Sequence, residues 1–377
     1  MKKNIILFLT LLFLMNIFGG CSTAKKNSVI KIDEANTKWE IFAPLAFVTA
    51  SDEIDYWAYP KTDKSKRTED QSLFPNSGFN GSMFFSFNHT TGEWTSPFTV
   101  DLEQDAQLGG VIYDENNGCF FLKYVSVIDD KESQRSKCFI QKVLVDGTLE
   151  WTSMIGKNKF TAIVLDPETD NVLILANNGE SSELLSLNSD TGEISKKDLD
   201  SSVEREVTTN QNGIYGFLTN YDTSNTTVSH FDWDGNVVWT SDLEGCNFDY
   251  ICASDDDVFI SSEIYPYILQ LDASTGALKN KIALPNLGFQ SLYIDCVVVG
   301  DYLFTACTAL PRGTFKCGLI QYDIKNGGKP FFTKKANGYS CTVLEEYNGK
   351  GRAFFRSTET DEMLIYTISQ IDENSAS

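Results

Sequence analysis

Apolar and polar residues alternate with a period of two in short runs along most of the chain, and small turn clusters separate the runs. The clearest stretch is CFIQKVLVDGTLEWTSMI, Cys138 to Ile155. One strand sets Phe139, Gln141 and Val143 against Ile140, Lys142 and Leu144, passes through Asp146-Gly147, and leads into a second strand carrying Trp151. Successive side chains on a strand point to opposite faces, so this pattern predicts a β-hairpin. Asp-Gly supplies the positive φ that a tight turn needs. The design recurs at Thr227 to Leu243 around Asp234-Gly235 and at Met83 to Leu102 around Thr91-Gly92. It recurs again at Glu183 to Leu199 around Thr191-Gly192, at Tyr267 to Leu284 around Thr275-Gly276, and at Gly318 to Ala336 around Asn326-Gly327.

The turn glycines at 92, 147, 192, 235, 276 and 327 lie 41 to 55 residues apart. A four-stranded unit of that length predicts an all-β chain forming a single β-propeller. Seven blades are expected, with six or eight as the alternatives. The blades are assigned to Pro44–Leu102, Glu103–Ile155, Gly156–Leu199, Asp200–Leu243, Glu244–Leu284, Pro285–Ala336 and Asn337–Ile371. The last holds only three strands. Thr37 to Ile41 (TKWEI) reads as an outer strand without a blade, and pairing the two would close the ring and leave no sheet edge free. The propeller then spans 37–371, with a short tail at 372–377. An aromatic four residues after the turn glycine (Trp151, Trp239, Phe331) is expected to pack between blades, although Lys196 and Asn280 hold that place in two of them.

The run Leu271-Asp272-Ala273-Ser274-Thr275-Gly276 is the best copy of an Asp-x-x-Thr-Gly motif set before an apolar or Trp-bearing strand. It resembles the PQQ-like repeat of bacterial propellers, and the resemblance extends over most of residues 37–371. Dehydrogenases of that group hold their quinone against a disulfide between adjacent cysteines, with a tryptophan floor and a calcium ion. No two cysteines are adjacent here, so no cofactor is expected.

The N-terminus has a different pattern. In MKKNIILFLTLLFLMNIFGGC, Lys2 and Lys3 precede an apolar core from Ile5 to Phe18, then Gly19-Gly20 and Cys21. The core is short for a membrane-spanning helix, and the order of regions is that of an export signal. A cysteine directly after two small residues resembles the lipobox of bacterial lipoproteins, with Phe18 in place of the preferred leucine. The resemblance implies cleavage at 1–20 and acylation of Cys21; an ordinary signal peptide or an uncleaved anchor are the alternatives. Several acyl chains would then hold the protein stably on a bilayer. Ser22 is compatible with sorting to an outer membrane where one exists, and 21–36 is expected to be a flexible tether. An exported cell-envelope protein, lipid-anchored to a bacterial membrane, is the expectation.

The formal net charge is −21, which repels nucleic acid and argues against such a partner. Histidine is limited to His89 and His230, in different blades on third strands, where surface positions are expected. A histidine-based triad or zinc site is therefore nearly excluded. Carboxylates are plentiful. Asp255-Asp256-Asp257 does not match a calcium-loop spacing and reads as a solvated turn, so no metal is expected. Eight cysteines follow Cys21 without a Cys-x-x-Cys spacing. Cys307 and Cys317 flank the loop Thr308–Lys316 symmetrically and form a candidate disulfide, with free buried thiols as the alternative. The long inserts Pro60–Gly81, Ser126–Ser136 and Thr308–Lys316 should share one rim. Aromatics lead into inner strands on that side: Phe160, Phe248, Phe289 and Tyr339. They either form a binding mouth or plug the core beneath each blade. The function expected is a non-catalytic binding or scaffold module, monomeric, for an unknown protein or glycan. An envelope hydrolase acting on a glycan or lactone with carboxylates at the mouth is the alternative.

Overall fold

In the computed structural model the chain is described over most of residues 28–372; residues 1–27, 39–45, 63–78, 127–136, 286–290, 310–315 and 373–377, with shorter stretches between, lie outside the described residues. Strand β1 (Ser28–Lys38) comes first in the chain and belongs to the last blade. Blade 1 contains β2 (Ala46–Thr49), β3 (Ile54–Thr62), β4 (Phe79–Asn88), β5 (Glu93–Trp94) and β6 (Phe98–Asp101), the last two both on β4. Blade 2 contains β7 (Gln107–Asp114), β8 (Cys119–Ser126), β9 (Lys137–Leu144) and β10 (Leu149–Gly156). Blade 3 contains β11 (Lys159–Leu165), β12 (Val172–Asn177), β13 (Ser182–Leu187) and β14 (Ile194–Leu199). Blade 4 contains β15 (Val207–Asn210), β16 (Gly213–Asn220), β17 (Asn225–Phe231) and β18 (Val237–Glu244). Blade 5 contains β19 (Tyr250–Ala253), β20 (Asp257–Ser261), β21 (Tyr267–Asp272) and β22 (Leu278–Ala283). Blade 6 contains β23 (Ser291–Val299), β24 (Tyr302–Ala309), β25 (Lys316–Asp323) and β26 (Phe331–Lys335). Blade 7 contains β27 (Tyr339–Tyr347), β28 (Lys350–Ser357) and β29 (Glu362–Asp372), completed by β1.

Seven antiparallel sheets form the ring, and the strands of each fall within the stretch assigned to its blade to within a residue or two, with up to seven residues of connection before the first strand. The closing strand lies earlier than expected. It runs from Ser28 to Lys38, in register with β29 from Ser28↔Asp372 to Lys38↔Glu362; it shares Thr37 and Lys38 with the expected Thr37–Ile41, whose other residues lie outside the described ones. Part of the segment assigned to a tether is thus sheet. VIKI alternates less visibly than TKWEI, and β29 supplies eleven residues to pair with, more than TKWEI could cover.

The core is divided among the clefts between blades. Phe84, Leu108 and Phe120 fill the first cleft, and Phe121, Ile140 and Ile174 the second. Leu173, Ile214 and Phe231 fill the third, and Tyr215, Ile251 and Leu271 the fourth. Phe259, Leu303 and Ile320 fill the fifth, and Phe304, Leu344 and Phe355 the sixth. Trp57 of blade 1 meets Phe354 of blade 7 edge to face at 5.0 Å, across the remaining cleft. Burying both faces of each sheet explains why the strands are nearly continuous in apolar residues toward the axis.

The repeated turn also fastens neighbouring blades. Trp151 on β10 donates its indole N–H to Ser189 O at 3.0 Å, and its ring would lie 2.9 Å from a Cβ placed on Gly192. Trp239 on β18 repeats the contact on the next blade, donating to Ala273 O at 2.8 Å against Gly276. Asn280 donates to the Tyr322 hydroxyl at 3.2 Å, so the polar substitute keeps the role of a fastener. Phe331 does not share it: the ring is 53% exposed.

The Asp-x-x-Thr-Gly motif is a turn cap. The Asp272 carboxylate accepts from the Ser274 and Thr275 amides at 3.1 and 3.0 Å and from both hydroxyls, while Gly276 N–H reaches Asp272 O at 2.8 Å. Asn188, Thr191 and Gly192 build the same turn in blade 3.

Candidate functional site

The inner strands wall a central channel, and four of them carry a one-residue register shift. The shifted residues are Gly109 on β7, Thr161 on β11, Asp295 on β23 and Thr342 on β27. A bulge bends its strand and re-aims a side chain. Asp295 stands apart from the other three. Its φ is +52°, in the left-handed region that asparagine and aspartate enter more readily than most residues. Its carboxylate accepts from the Cys296 amide at 2.6 Å, and its carbonyl accepts from the Thr305 hydroxyl at 2.7 Å.

Asp295 keeps part of its surface accessible although it lies deep in the molecule, which is the combination a channel wall produces. Burial pushes its pKa up to about 8 from the ordinary 3.8, with the negative charge of Glu206 adding to the effect and the Cys296 amide opposing it. Glu206 directly precedes β15 in blade 4, and blade 5 stands between it and Asp295. The two acids therefore meet through the space in front of β19.

Cys252 on β19 shares a hydrogen bond with the Cys296 thiol, and its pKa is raised by burial, by Cys296, and by the charges of Asp295 and Glu346. Glu346, near the end of β27, is solvent-exposed yet enclosed enough for burial to raise its pKa, against the Gly349 amide that donates to it at 2.6 Å. Asp295, on the inner strand of blade 6, thus makes the channel wall acidic, and the charges of Glu206 in blade 4 and Glu346 in blade 7 act on it or on the neighbouring Cys252.

A second concavity of about 430 Å³ lies at the turns of blades 5 and 6, lined in part by Asp255, Asp256, Asp257, Asp272 and Lys279. Lys279 bridges Asp257 at 2.9 Å and Asp272 at 3.3 Å, and Lys325 reaches Asp301 at 3.6 Å. Two lysines thus offset part of the charge of the five aspartates there. Among the described residues no group of three or more His, Cys, Asp or Glu is arranged to hold a metal ion.

Of the four aromatics that would either form a mouth or plug the core, the two whose side chains are described take the core role. Phe248 is fully buried and packs edge-on against Tyr265 at 5.7 Å, inside the cleft between blades 4 and 5. Tyr339 packs partly against the cleft between blades 6 and 7. Phe289 and the side chain of Phe160 lie outside the described residues, as do Cys21 and His89. His230 is not a surface residue. It is 4% exposed and stacks on Tyr215 at 4.2 Å with Trp239 beside it, and burial lowers its pKa.

The candidate disulfide fails on register. Cys307 pairs with Gly318 and Thr308 with Cys317, so the two cysteines point to opposite faces of blade 6. Cys307 packs in the cleft toward blade 5 and Cys317 in the cleft toward blade 7, and both are free thiols. Symmetry about Thr308–Lys316 would require the strands to pair 307 with 317, one residue out of the observed register.

Asp295 was legible as an anomaly: it is the one charge in YIDCVVV, an otherwise apolar run. A local violation of patterning of this kind marks strained or functional positions.

These features define the class: a seven-bladed β-propeller. No family model matches the chain, and no curated protein matches it. Among solved structures, virginiamycin B lyase from Staphylococcus aureus, a catalytically inactive form with quinupristin, aligns with a TM-score of 0.54 at 13% identity, covering 90% of this chain and 99% of that chain. A streptogramin B lyase aligns with a TM-score of 0.54 at 10% identity, covering 90% and 98%. At such identity the likeness establishes the fold.

Proposed function

We propose that the protein is an exported, lipid-anchored propeller of the bacterial cell envelope whose channel binds a glycan or a segment of a partner protein. The observation that carries the channel assignment is Asp295. An acid held neutral by its surroundings, on a left-handed bulge of an inner strand, destabilises the fold at neutral pH and contributes no packing that an apolar residue would not. Strain and perturbed acidity of this kind collect at functional sites. A neutral carboxyl donates one hydrogen bond and accepts others, which suits hydroxyl or amide groups of a ligand. The anchor rests on Cys21 after Gly19-Gly20.

One observation favours hydrolysis as a second reading. Asp295, held protonated, feels the charge of Glu206, and a neutral acid paired with a carboxylate supplies the two roles, general acid and base, of glycoside cleavage. The lyase activity named for the similar structures would be a third chemistry on the same fold; it adds no residue assignment here.

Glycan arrays and envelope cross-linking with the mature protein test these readings together. Asp295→Gly keeps the backbone conformation and removes the carboxyl, and it should lose the ligand. Asp295→Asn keeps a neutral donor and acceptor and should retain it, whereas a hydrolase would retain binding and lose turnover. Binding unchanged in Asp295→Gly would exclude the channel. Cys21→Ser should move the protein from membrane to soluble fractions; a variant that stays with the membrane would exclude lipid anchoring.

A further inference from the structure

Opposite the acidic wall, blade 2 carries a buried lysine. Lys123 sits on β8 and is 7% exposed. Its strand neighbour toward the axis is β7, where it pairs with Gly110 beside the bulged Gly109. A Cβ on Gly110 would lie 3.7 Å from Lys123 Cβ and 3.8 Å from its Cε, and one on Gly109 would lie 3.3 Å from Cε. The side chain therefore lies along the inner strand over its two glycines, with Cε set beside Gly109. Any side chain at 109 would obstruct that path.

Among the described residues, Lys123 has no hydrogen bond or ion pair. The charged-state neighbour acting on it is the Cys138 thiol, itself pushed up to about 12 by burial. Lys142, two strands from the axis in the same blade and equally buried, shows what a buried amine ordinarily has: Glu150 at 2.9 Å. An uncompensated buried ammonium costs several kcal/mol, and desolvation accordingly lowers the pKa of Lys123. The amine is not sealed, since it is absent from the fully enclosed polar atoms that lack a partner. Buried over the inner strand and without a partnering acid among the described residues, the amine lacks a counter-charge.

We propose that Lys123 binds the anionic group of a small hydroxylated oxyanion, a carboxylate or phosphate, whose hydroxyls reach the Asp295 wall. In a ring of seven blades, blade 2 stands nearly opposite blade 6, so one ligand can span amine and acid. The inference deepens the channel-binding reading and rests on it for the hydroxyl contacts, but the anion contact stands on Lys123 alone.

Competitive acetylation with limiting acetic anhydride, read by peptide mass spectrometry on the full mature protein, is the test. The probes are inorganic phosphate and gluconate, with chloride at equal ionic strength as control. Phosphate at about ten times its Kd should slow labelling of Lys123 about tenfold and leave Lys279 and Lys325 unchanged. No protection, or equal protection by chloride, overturns the proposal. Thermal shifts provide the second reading: gluconate should raise the midpoint of wild type and Lys123→Arg, not of Lys123→Met. A more stable Lys123→Met beside a wild type blind to both probes would make the lysine structural and overturn the proposal. Failure of the broader channel reading looks different: phosphate still protects Lys123, while Asp295→Gly binds gluconate as tightly as wild type.

Discussion

Asp295→Asn should stabilise the protein, by an amount that depends on pH in a way few other substitutions would mimic. Asparagine is the matched replacement, because it tolerates φ of +52° and its side-chain oxygen can still accept from the Cys296 amide. In the folded protein the carboxyl titrates near 8, against 3.8 ordinarily, because of burial and then Glu206. The folded pKa is raised, so between these two values the native state holds a proton that the unfolded chain has released. Stability therefore falls as pH rises through that window, and it is flat below and above it with respect to this group. At pH 7 the full shift would correspond to about 4 kcal/mol. Water in the channel screens part of it, which leaves about 2–4 kcal/mol.

The wild-type and Asn proteins should thus be equally stable near pH 4 and diverge up to pH 8. Other groups titrate alike in both and cancel in the difference. Urea denaturation at half-unit intervals from pH 4 to 9 measures it directly. Near the melting point a difference of ~3 kcal/mol corresponds to ~4 °C for a folded body of roughly 330 residues. A pH-independent difference, or a wild type more stable than the variant at pH 8, would refute a desolvated channel acid. The proposed role of Asp295 would fall with it.

Three further outcomes follow from the packing. Gly276→Ala should cost about 2–4 kcal/mol and Gly349→Ala about 1 kcal/mol, because both have left-handed φ (+71° and +73°) but only the first sets a methyl 2.5 Å from Trp239; equal costs in chemical denaturation would show that the tryptophan seat is soft. Burial depresses the pKa of His230, so the stability it permits is present above the unfolded value of 6.5 and is lost as pH falls below it. His230→Phe, stacking between Tyr215 and Trp239, should remove that acid sensitivity, and parallel acid unfolding curves for the two proteins would contradict it. Cys307 and Cys317 are buried on opposite faces, so neither should react with a thiol reagent until the protein unfolds, and both should then react without prior reduction; a Cys307–Cys317 cross-linked peptide would reverse the register.

The blades were legible because local chemistry decides them. An alternating strand, a glycine in the left-handed region and an Asp or Asn cap specify a hairpin within about eighteen residues, and no distant contact is needed to fix it. The ring could also be counted, since the missing outer strand of Asn337–Ile371 required a donor from the other end. What that reasoning could not fix was register. The pattern starts the closing strand at Thr37 where it begins at Ser28, and loop symmetry sets Cys307 opposite Cys317 where it pairs with Gly318. In a two-residue repeat an error of one residue reverses the face on which a side chain lies.

The site was missed for a related reason. Phe248 and Tyr339 attracted attention because aromatics near a loop suggest a mouth, yet in a propeller the clefts between blades absorb large rings first, and Phe248 is fully buried. The residues left to face the channel are those the clefts cannot use. On β23 that residue is Asp295, expelled from the alternation by a bulge; on β8 it is Lys123, long enough to leave its cleft over Gly109 and Gly110. Both are single charges inside apolar runs, YIDCVVV and CFFLKYV. In a closed ring whose sheets bury both faces, such an interruption has two outlets, the outer rim and the axis. A charge on an inner strand, or one strand away behind glycines, can only take the axis. Glu206, just before β15, and Glu346, near the end of β27, are of another kind: they stand at strand ends among other polar residues, and they act on Asp295 and Cys252 through their charge.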